Sequence, residues 1–336
     1  MFVNIPRKIT SLVFVIFLYV LIITGSSSAV ILHPDGEPSD LSEMDIPCTS
    51  VVGRWGSNAS CVAIARNLVI TTIHQDGYDE EKLRTVVIGG MYYSCSEVWT
   101  TTSNYDTRIV KLNHANLSDY IGIHTSTNES GKQMRQGGFG KSRGAELGYG
   151  YTWNSESNTT LRFCSNVVDG VYSGDSRILY ADFDELGYDN ATEYEGIAAE
   201  YDSGSGWFIK SNNEWKLAGL TFSVTSHTED DQSWFNAPDT TLRDPDYMFC
   251  WRVSKFASWV NSVIESESDC PYVETDLNDD CVIDLYDLIE FAEQWAQQSC
   301  GVTNNYCEGA DINHDTDVDL VDFSKIAEDW LNDYTE

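Results

Sequence analysis

Short apolar runs rich in β-branched residues, each interrupted by Gly, Asn or Asp, recur from residue 51 to about residue 250. Such runs are typical of strands, and the turn residues between them are typical of antiparallel neighbours. Helical spacing of apolar residues begins only at the far end of this region. The pattern therefore predicts a mainly β domain that closes with one helix. The helical positions are Val253, Phe256, Val260 and Ile264.

The amino terminus reads as a secretory signal peptide. Arg7 and Lys8 precede an apolar run over residues 12–23, and small residues up to Ala29 supply a cleavage site. The run is shorter than the ~18 residues of a membrane-spanning helix. We therefore expect residues 1–29 to be removed on export, leaving a secreted chain that begins at Val30 and has no stable membrane anchor.

Composition supports this expectation and excludes some partners. The nine cysteines fit an oxidising compartment, and their odd number leaves at least one thiol free or paired between chains. A length of 336 residues is enough for two or more domains. The net charge of −33 argues against nucleic acid and anionic membrane surfaces as partners.

Three segments carry the residue types that activate a serine. Residues 67–74, Asn-Leu-Val-Ile-Thr-Thr-Ile-His, form an apolar strand that ends in His74. Asp106 stands before the alternating strand 108–112, and Ser203 lies in the turn Tyr-Asp-Ser-Gly-Ser-Gly before another apolar strand. A serine hydroxyl is a poor nucleophile until an imidazole takes its proton and a carboxylate orients that imidazole. His74, Asp106 and Ser203 are therefore the predicted catalytic residues.

In the same order, these segments resemble the signatures of trypsin-like serine proteases. That family has a strand ending T-A-A-H, a second segment N-D-I-A-L and a nucleophile in G-D-S-G. Residues 137–142, 215–221 and 251–260 are similar to its G-W-G-x-T turn, its cleft strand and its closing helix. The resemblance implies the chymotrypsin fold over residues 30–264, two six-stranded antiparallel β-barrels. It also implies an endopeptidase that cleaves protein or peptide substrates and needs no cofactor for catalysis.

The resemblance implies further site residues. Backbone N–H groups of Tyr201 and Ser203 would form the oxyanion hole, although the family has glycine in place of Tyr201. A free amino terminus at Val30 would form an activating ion pair with Asp202. Without a carboxylate at the base of the specificity pocket, we expect poor cleavage after Arg or Lys and a preference for small or apolar residues. The implied pocket residues are Ile197, Phe222, Ser223 and Val224.

The chain beyond residue 264 contains an internal repeat. Asp276 returns as Asp311, a spacing of 311 − 276 = 35 residues, and each copy reads D-x-N-x-D-x-x-x-D-x-x-D. Oxygen-bearing side chains at positions 1, 3, 5, 9 and 12 of a short loop are typical of calcium loops, because Ca²⁺ takes six to eight oxygen ligands. The sequence predicts two Ca²⁺ ions. Their ligands would come from Asp276, Asn278, Asp280, Asp284 and Asp287, and from Asp311, Asn313, Asp315, Asp319 and Asp322.

An amphipathic segment follows each loop, and the pair resembles a type I dockerin. This resemblance implies a small all-α calcium-binding domain over residues 276–336 after a linker at 265–275, and a cohesin-like partner. The implied partner-binding residues are Leu285, Tyr286, Leu320 and Val321. Cys281 and Thr316 replace the glycine that is usual at position 6. Cys281 can form a disulfide with Cys270, Cys300 or Cys307, and the sequence does not decide which.

Two readings remain besides a secreted serine endopeptidase docked through its dockerin. One is a catalytically inactive protease-fold binding module, which is favoured by the departures Thr72, Ile73 and Tyr201. The other is a carbohydrate-active enzyme, which the dockerin alone suggests, but the sequence has no recognisable pair of catalytic carboxylates on strands. The presence and order of all three triad residues favours the endopeptidase.

Overall fold

The computed structural model describes residues 30–57, 59–75, 85–101, 104–157, 159–225, 231–237, 245–267 and 271–335. The predicted signal peptide lies outside these residues. Within them, no helix combines the length and the apolar character needed to cross a membrane.

A curled antiparallel sheet, the first half-barrel, follows a short strand β1 (Ile31–Leu32). Its strands run in the order β6-β5-β2-β3-β4-β8-β7, so neighbours in sequence are mostly neighbours in the sheet. They are β2 (Val52–Trp55), β3 (Ser60–Ala65), β4 (Leu68–Thr71), β5 (Val86–Ile88), β6 (Met91–Tyr93), β7 (Cys95–Thr100) and β8 (Arg108–Leu112).

A second curled sheet, the second half-barrel, has the order β13-β10-β17-β18-β20-β15-β14, with β9 pairing in parallel with β18. Two smaller sheets, β11-β12-β19 and β1-β16, flank it. The strands are β9 (Gly122–Ile123), β10 (Gln133–Gly138), β11 (Lys141–Glu146), β12 (Gly150–Ser157), β13 (Arg162–Val167), β14 (Gly170–Val171), β15 (Ile178–Asp182), β16 (Gly196–Ile197), β17 (Gly206–Ser211), β18 (Glu214–Val224), β19 (Gln232–Trp234) and β20 (Tyr247–Arg252).

The predicted mainly β class is confirmed, as two curled half-barrel sheets with a few small helices. The sheets hold seven and eight strands among the described residues, instead of the six expected for each barrel. The difference arises because short segments such as β6 and β9 pair as separate strands. The structure therefore confirms two curled half-barrel sheets, but it does not confirm six strands in each.

One apolar core joins the two half-barrels. It contains Val62 and Ile109 from the first sheet, Phe208 and Leu217 from the second, and Val260 from α1 (Ala257–Ser266). The helix ends two residues beyond the predicted domain end at residue 264. Because this core lies between the sheets, the turns at their facing edges are held in fixed relation to one another.

Two further helices follow the acidic loops, α2 (Leu285–Glu293) and α4 (Leu320–Glu328), with a short turn α3 (Asn305–Glu308) between them. Both begin with a capping box: Asp284 and Asp287 in the first, Asp319 and Asp322 in the second. Cys300 and Cys307 form a disulfide, which leaves neither of them for Cys281. Cys281 is also disulfide-bonded, and Cys270 lies outside the described residues.

Candidate active site

The turn that carries Ser203 connects β16 to β17 and is attached to both half-barrels. The Ser203 carbonyl accepts the N–H of Ser60 in β3 at 3.0 Å, and the Gly204 N–H donates to Thr221 in β18 at 2.8 Å. Gly204 has φ +81°, and a Cβ there would lie 2.1 Å from the Ser60 carbonyl oxygen. Only glycine fits this close approach at positive φ, so the sequence Ser-Gly fixes the position of the serine.

His74 and Asp106 meet because β4 and β8 are antiparallel neighbours. Thr71, the last residue of β4, pairs with Arg108, the first residue of β8, which brings the segments beyond both ends to one edge of the sheet. Asp106 Oδ1 accepts the backbone N–H groups of Ile73 at 2.9 Å and of His74 at 2.8 Å, and its Oδ2 contacts His74 Nδ1. The carboxylate therefore holds both the backbone and the ring of the histidine.

The other ring nitrogen of His74 faces Ser203. His74 Nε2 lies 2.9 Å from Ser203 Oγ, so the three side chains form one hydrogen-bonded line across the two half-barrels. The bulky neighbours of His74 do not enter this line: Thr72 is fully buried, and the Ile73 side chain is 40% exposed on the outside. This arrangement can pass a proton from a serine hydroxyl to an oriented imidazole.

Gln75 is a site residue that the sequence reasoning missed. Its side-chain Nε2 lies 3.2 Å from His74 Nε2, on the atom that also faces Ser203. The Gln75 side chain is nearly buried, and its backbone carbonyl accepts a hydrogen bond from Arg108 at 3.1 Å. One feature of the sequence could have pointed to it. Gln75 stands where trypsin-like serine proteases commonly have a cysteine directly after the histidine.

Tyr201 adopts the backbone conformation of a glycine. It has φ +73° in a turn closed by a 3.1 Å hydrogen bond from the Asp202 N–H to the Ala199 carbonyl. The left-handed conformation costs a residue with a side chain about 1 kcal/mol or more. Among the described residues, no acceptor is found for the N–H groups of Tyr201 and Ser203. Both amides thus remain available at the turn beside the Ser203 hydroxyl.

Asp202 is completely buried beside this turn and accepts several backbone N–H groups. Its donors are Gly140 at 2.8 Å, Ala199 at 2.9 Å and the N–H of Val30. A Cβ on Gly138 or Gly140 would lie 2.2–2.4 Å from the Asp202 carboxyl, so both glycines leave room for it. Burial raises the pKa of Asp202 to about 7, against the lowering effect of these hydrogen bonds.

Val30 reaches this site because β1 pairs with β16 in the small sheet that flanks the second half-barrel. Ile31 pairs with Ile197 in β16, and Val30, Ile31 and Leu32 are all buried. Val30 has φ +64°, which is rare for a β-branched residue. This first part of the mature chain is therefore packed into the domain and is not an exposed arm.

A cleft of about 410 Å³ opens beside His74 and Ser203. Phe222, Ser223 and Val224 line it as expected, whereas Ile197 is fully buried in the strand pair with β1 and is not among the lining residues. Phe222 stacks on Trp251 with ring centroids 4.7 Å apart, which fixes one wall. Further lining comes from Gln75, Trp153, Ala199, Glu200, Tyr201 and Thr221.

Lys141 contacts residues that line this cleft and is paired with two carboxylates. Lys141 forms ion pairs with Glu200 and with Asp231, the latter at 2.7 Å, and its ammonium lies 5.7 Å from the centre of the Tyr201 ring. The two carboxylates raise the pKa of Lys141 against the effect of its burial. Around Lys141, two carboxylates therefore face a single ammonium.

The acidic loops of the C-terminal module fold back on their own backbone. Asp276 accepts the N–H groups of Asp280 and Cys281 at 3.1 and 2.9 Å, and the buried Asp287 accepts those of Leu277 and Asp284 at 2.7 Å each. Burial raises the pKa of Asp276 to about 6. The second loop repeats this pattern around Asp311. Among the described residues, no group of three or more His, Cys, Asp or Glu side chains is placed to hold a metal ion.

The expected partner-binding residues lie at the starts of α2 and α4. Leu285, Tyr286, Leu320 and Val321 are between 49% and 69% exposed. Exposed large apolar side chains, here two at the start of each helix, are of the kind that often bind another protein.

No protein-family model matches the chain, and no curated protein matches it either.

Proposed function

We propose that the protein is a serine endopeptidase with a chymotrypsin-type fold, secreted and processed at Val30. The observation that carries the proposal is the line from Asp106 through His74 to Ser203, with 2.9 Å between His74 Nε2 and Ser203 Oγ. The attachment of this line to both half-barrels supports the chymotrypsin-type arrangement, in which the site lies between two barrels.

The geometry gives each residue a role in peptide hydrolysis. Ser203 Oγ attacks the scissile carbonyl while His74 Nε2 takes its proton, and His74 then gives that proton to the leaving amine. Asp106 keeps the other ring nitrogen protonated and stabilises the imidazolium that forms. Water repeats the sequence on the acyl-enzyme, with His74 again acting first as base and then as acid.

The N–H groups of Tyr201 and Ser203 are proposed to bind the oxyanion. The positive φ of Tyr201 supports this role, because a glycine usually supplies that conformation. Loss of one oxyanion donor costs about 3 kcal/mol of transition-state stabilisation.

Cleavage before Val30 is the proposed activation step. In the uncut chain a peptide N–H at Val30 faces the buried Asp202; after cleavage an ammonium stands there and the φ strain of Val30 disappears with the preceding peptide bond. A buried carboxylate is strongly stabilised by a paired cation. We therefore propose that export itself completes the turn that holds the oxyanion donors.

A fluorophosphonate probe tests the active-serine proposal directly. It labels only a serine activated by a base, so we expect the chain beginning at Val30 to be labelled and the Ser203→Ala variant to remain unlabelled. Ser262→Ala, at an exposed serine of α1, is the matched control and should still react. A processed wild-type chain that stays unlabelled would instead support the inactive binding module, which the Gln75 contact with His74 Nε2 also favours.

The C-terminal module is proposed to bind two Ca²⁺ ions and a cohesin-like partner. The donor set fits the ion, because each loop offers carboxylate and amide oxygens, and the acidic residues Asp287, Asp311 and Asp322 are buried within these loops. When bound, Ca²⁺ would supply positive charge that balances the negative charge of these carboxylates. The exposed residues Leu285, Tyr286, Leu320 and Val321 support the partner proposal.

Calorimetric titration of the full chain should give a stoichiometry of two Ca²⁺. Asp276→Asn with Asp287→Asn keeps the hydrogen-bond acceptors of the first loop but removes two charges, so we expect one site to be lost. Asp311→Asn with Asp322→Asn is the matched variant of the second loop and should also leave one site. A wild-type titration without calcium heat would reject the calcium proposal.

A further inference from the structure

The C-terminal module, residues 271–335, is bonded to the first half-barrel through one small region of that sheet. Ser94 donates to Glu308 Oε2 at 2.6 Å, and Asn305 Nδ2 donates to the carbonyl of Asn113 at 3.2 Å. The backbone N–H of His114 donates to Asp279 Oδ2 at 3.2 Å. Ser94, Asn113 and His114 all lie beside the carboxyl end of β8, so these three hydrogen bonds are grouped at the end of one strand.

Lys111 in β8 joins three parts of the molecule. Its ammonium lies 3.3 Å from Glu267 at the end of α1 and 3.4 Å from the carbonyl oxygen of Asp279 in the module. The Lys111 side chain is only 9% exposed. A cation this buried needs both of its oxygen partners, so separating the module would leave it with one.

Apolar and aromatic groups complete the interface. Gly309 has φ +83°, and a Cβ there would lie 2.9 Å from the ring of His114, so the module approaches the imidazole as closely as glycine allows. Tyr93 of β6 and Tyr272 of the module line one cavity of about 140 Å³ between the two parts. Burial at this interface raises the pKa of Tyr272 to about 12.

The opposite end of the same strand leads to the candidate active site. β8 begins at Arg108, two residues after Asp106, and Arg108 also donates to the backbone carbonyl of Gln75 beside His74. β8 therefore has the His74–Asp106 pair at its first end and the C-terminal module at its last end. The strand is only five residues long and fully buried, so both ends belong to one rigid element.

We propose that the C-terminal module is an intramolecular clamp: its docking on the end of β8 holds that strand, and with it Asp106, in place. This inference rests on the proposed function only where it assigns a catalytic role to Asp106. The contacts with β8 and the expected partner-binding residues are different parts of the module. Its docking on the half-barrel therefore leaves Leu285, Tyr286, Leu320 and Val321 exposed. The module can therefore contact the half-barrel while these four side chains remain accessible to another protein.

The test is amide hydrogen exchange of the full chain in calcium-containing buffer, followed over residues 106–114. Asp279→Ala with Glu308→Ala removes two acceptors of the interface and touches neither a predicted calcium ligand nor a triad residue. We expect exchange of this peptide to become about tenfold faster, because local opening follows the lost contacts. Asp317→Ala with Glu328→Ala, two exposed acidic residues of the same module, is the charge-matched control and should exchange like the wild type.

Ser94→Ala weakens the same interface from the half-barrel side and should also speed exchange, which keeps the test valid if the double variant does not fold. Unchanged exchange over residues 106–114 in both interface variants would overturn the clamp, whatever the activity. Faster exchange in a chain that no fluorophosphonate labels would support the clamp and reject the endopeptidase proposal instead.

Discussion

Ser203→Ala and His74→Ala are each expected to lower kcat for peptide hydrolysis by about four to six orders of magnitude. Asp106→Asn should cost about 10⁴-fold, because an amide leaves the geometry intact but holds the wrong imidazole tautomer. Combining the substitutions should add little, since the hydroxyl, the imidazole and the carboxylate act as one unit. The single 2.9 Å contact between His74 Nε2 and Ser203 Oγ is what makes them dependent on one another.

Single-turnover kinetics on a peptide substrate measures these losses, with KM followed separately. Glu214→Gln removes an exposed carboxylate that pairs with Lys216 far from the triad, and it should retain wild-type kcat. Wild-type turnover by the Ser203→Ala protein would reject the assignment of the nucleophile. Additive losses in the double variants would show that the residues do not act through a common proton transfer.

A chain with one extra residue before Val30 is expected to lose about 10²- to 10³-fold in kcat relative to the chain that begins at Val30. The extra residue replaces the ammonium by a peptide N–H, and the turn from Ala199 to Ser203 then lacks the charge that holds Asp202. Comparison of the two purified forms measures the effect. Equal activities, or an exported protein with a different first residue, would contradict activation at Val30.

The two forms should also differ in how their stability depends on pH. In the extended form, burial raises the pKa of Asp202 to about 7, above the ordinary value of 3.8. The folded state then binds more protons than the unfolded state between these values, so the free energy of unfolding falls as the pH rises from about 4 to 7. The loss from this group is on the order of 3 kcal/mol. The ammonium of Val30 lowers the Asp202 pKa and should remove this dependence, which denaturant unfolding at pH 5 and pH 8 can show.

The sequence was informative where function depends on strands and their turns. His74 ends one apolar strand and Asp106 precedes another, and the resemblance to trypsin-like proteases implied that the two meet. In the structure the two strands pair and the side chains are in contact. The two loop-to-helix boundaries were equally readable, since an acidic residue caps the first turn of α2 and of α4.

Other features depend on packing between distant segments, which no local pattern reports. Counting back from Ser203 suggested Ile197 for the pocket, but that residue is buried against Ile31 of β1 and is not among the residues that line the cleft. The contact of Gln75 with His74 depends on a side-chain rotamer. The docking of the C-terminal module depends on bonds such as that between Asp279 and His114, 165 residues apart in the chain.

The bond between the Ser60 N–H and the Ser203 carbonyl has a consequence for how the protein is made. Ser60 emerges from the ribosome 203 − 60 = 143 residues before its partner, so the first half-barrel is synthesised without the serine or the turn that completes it. At about 5–20 residues per second this interval lasts from several seconds to about half a minute. Contacts this distant also slow folding. A nascent chain therefore carries His74 and Asp106 well before Ser203, so under the proposed function it has no active serine until the second half-barrel is made.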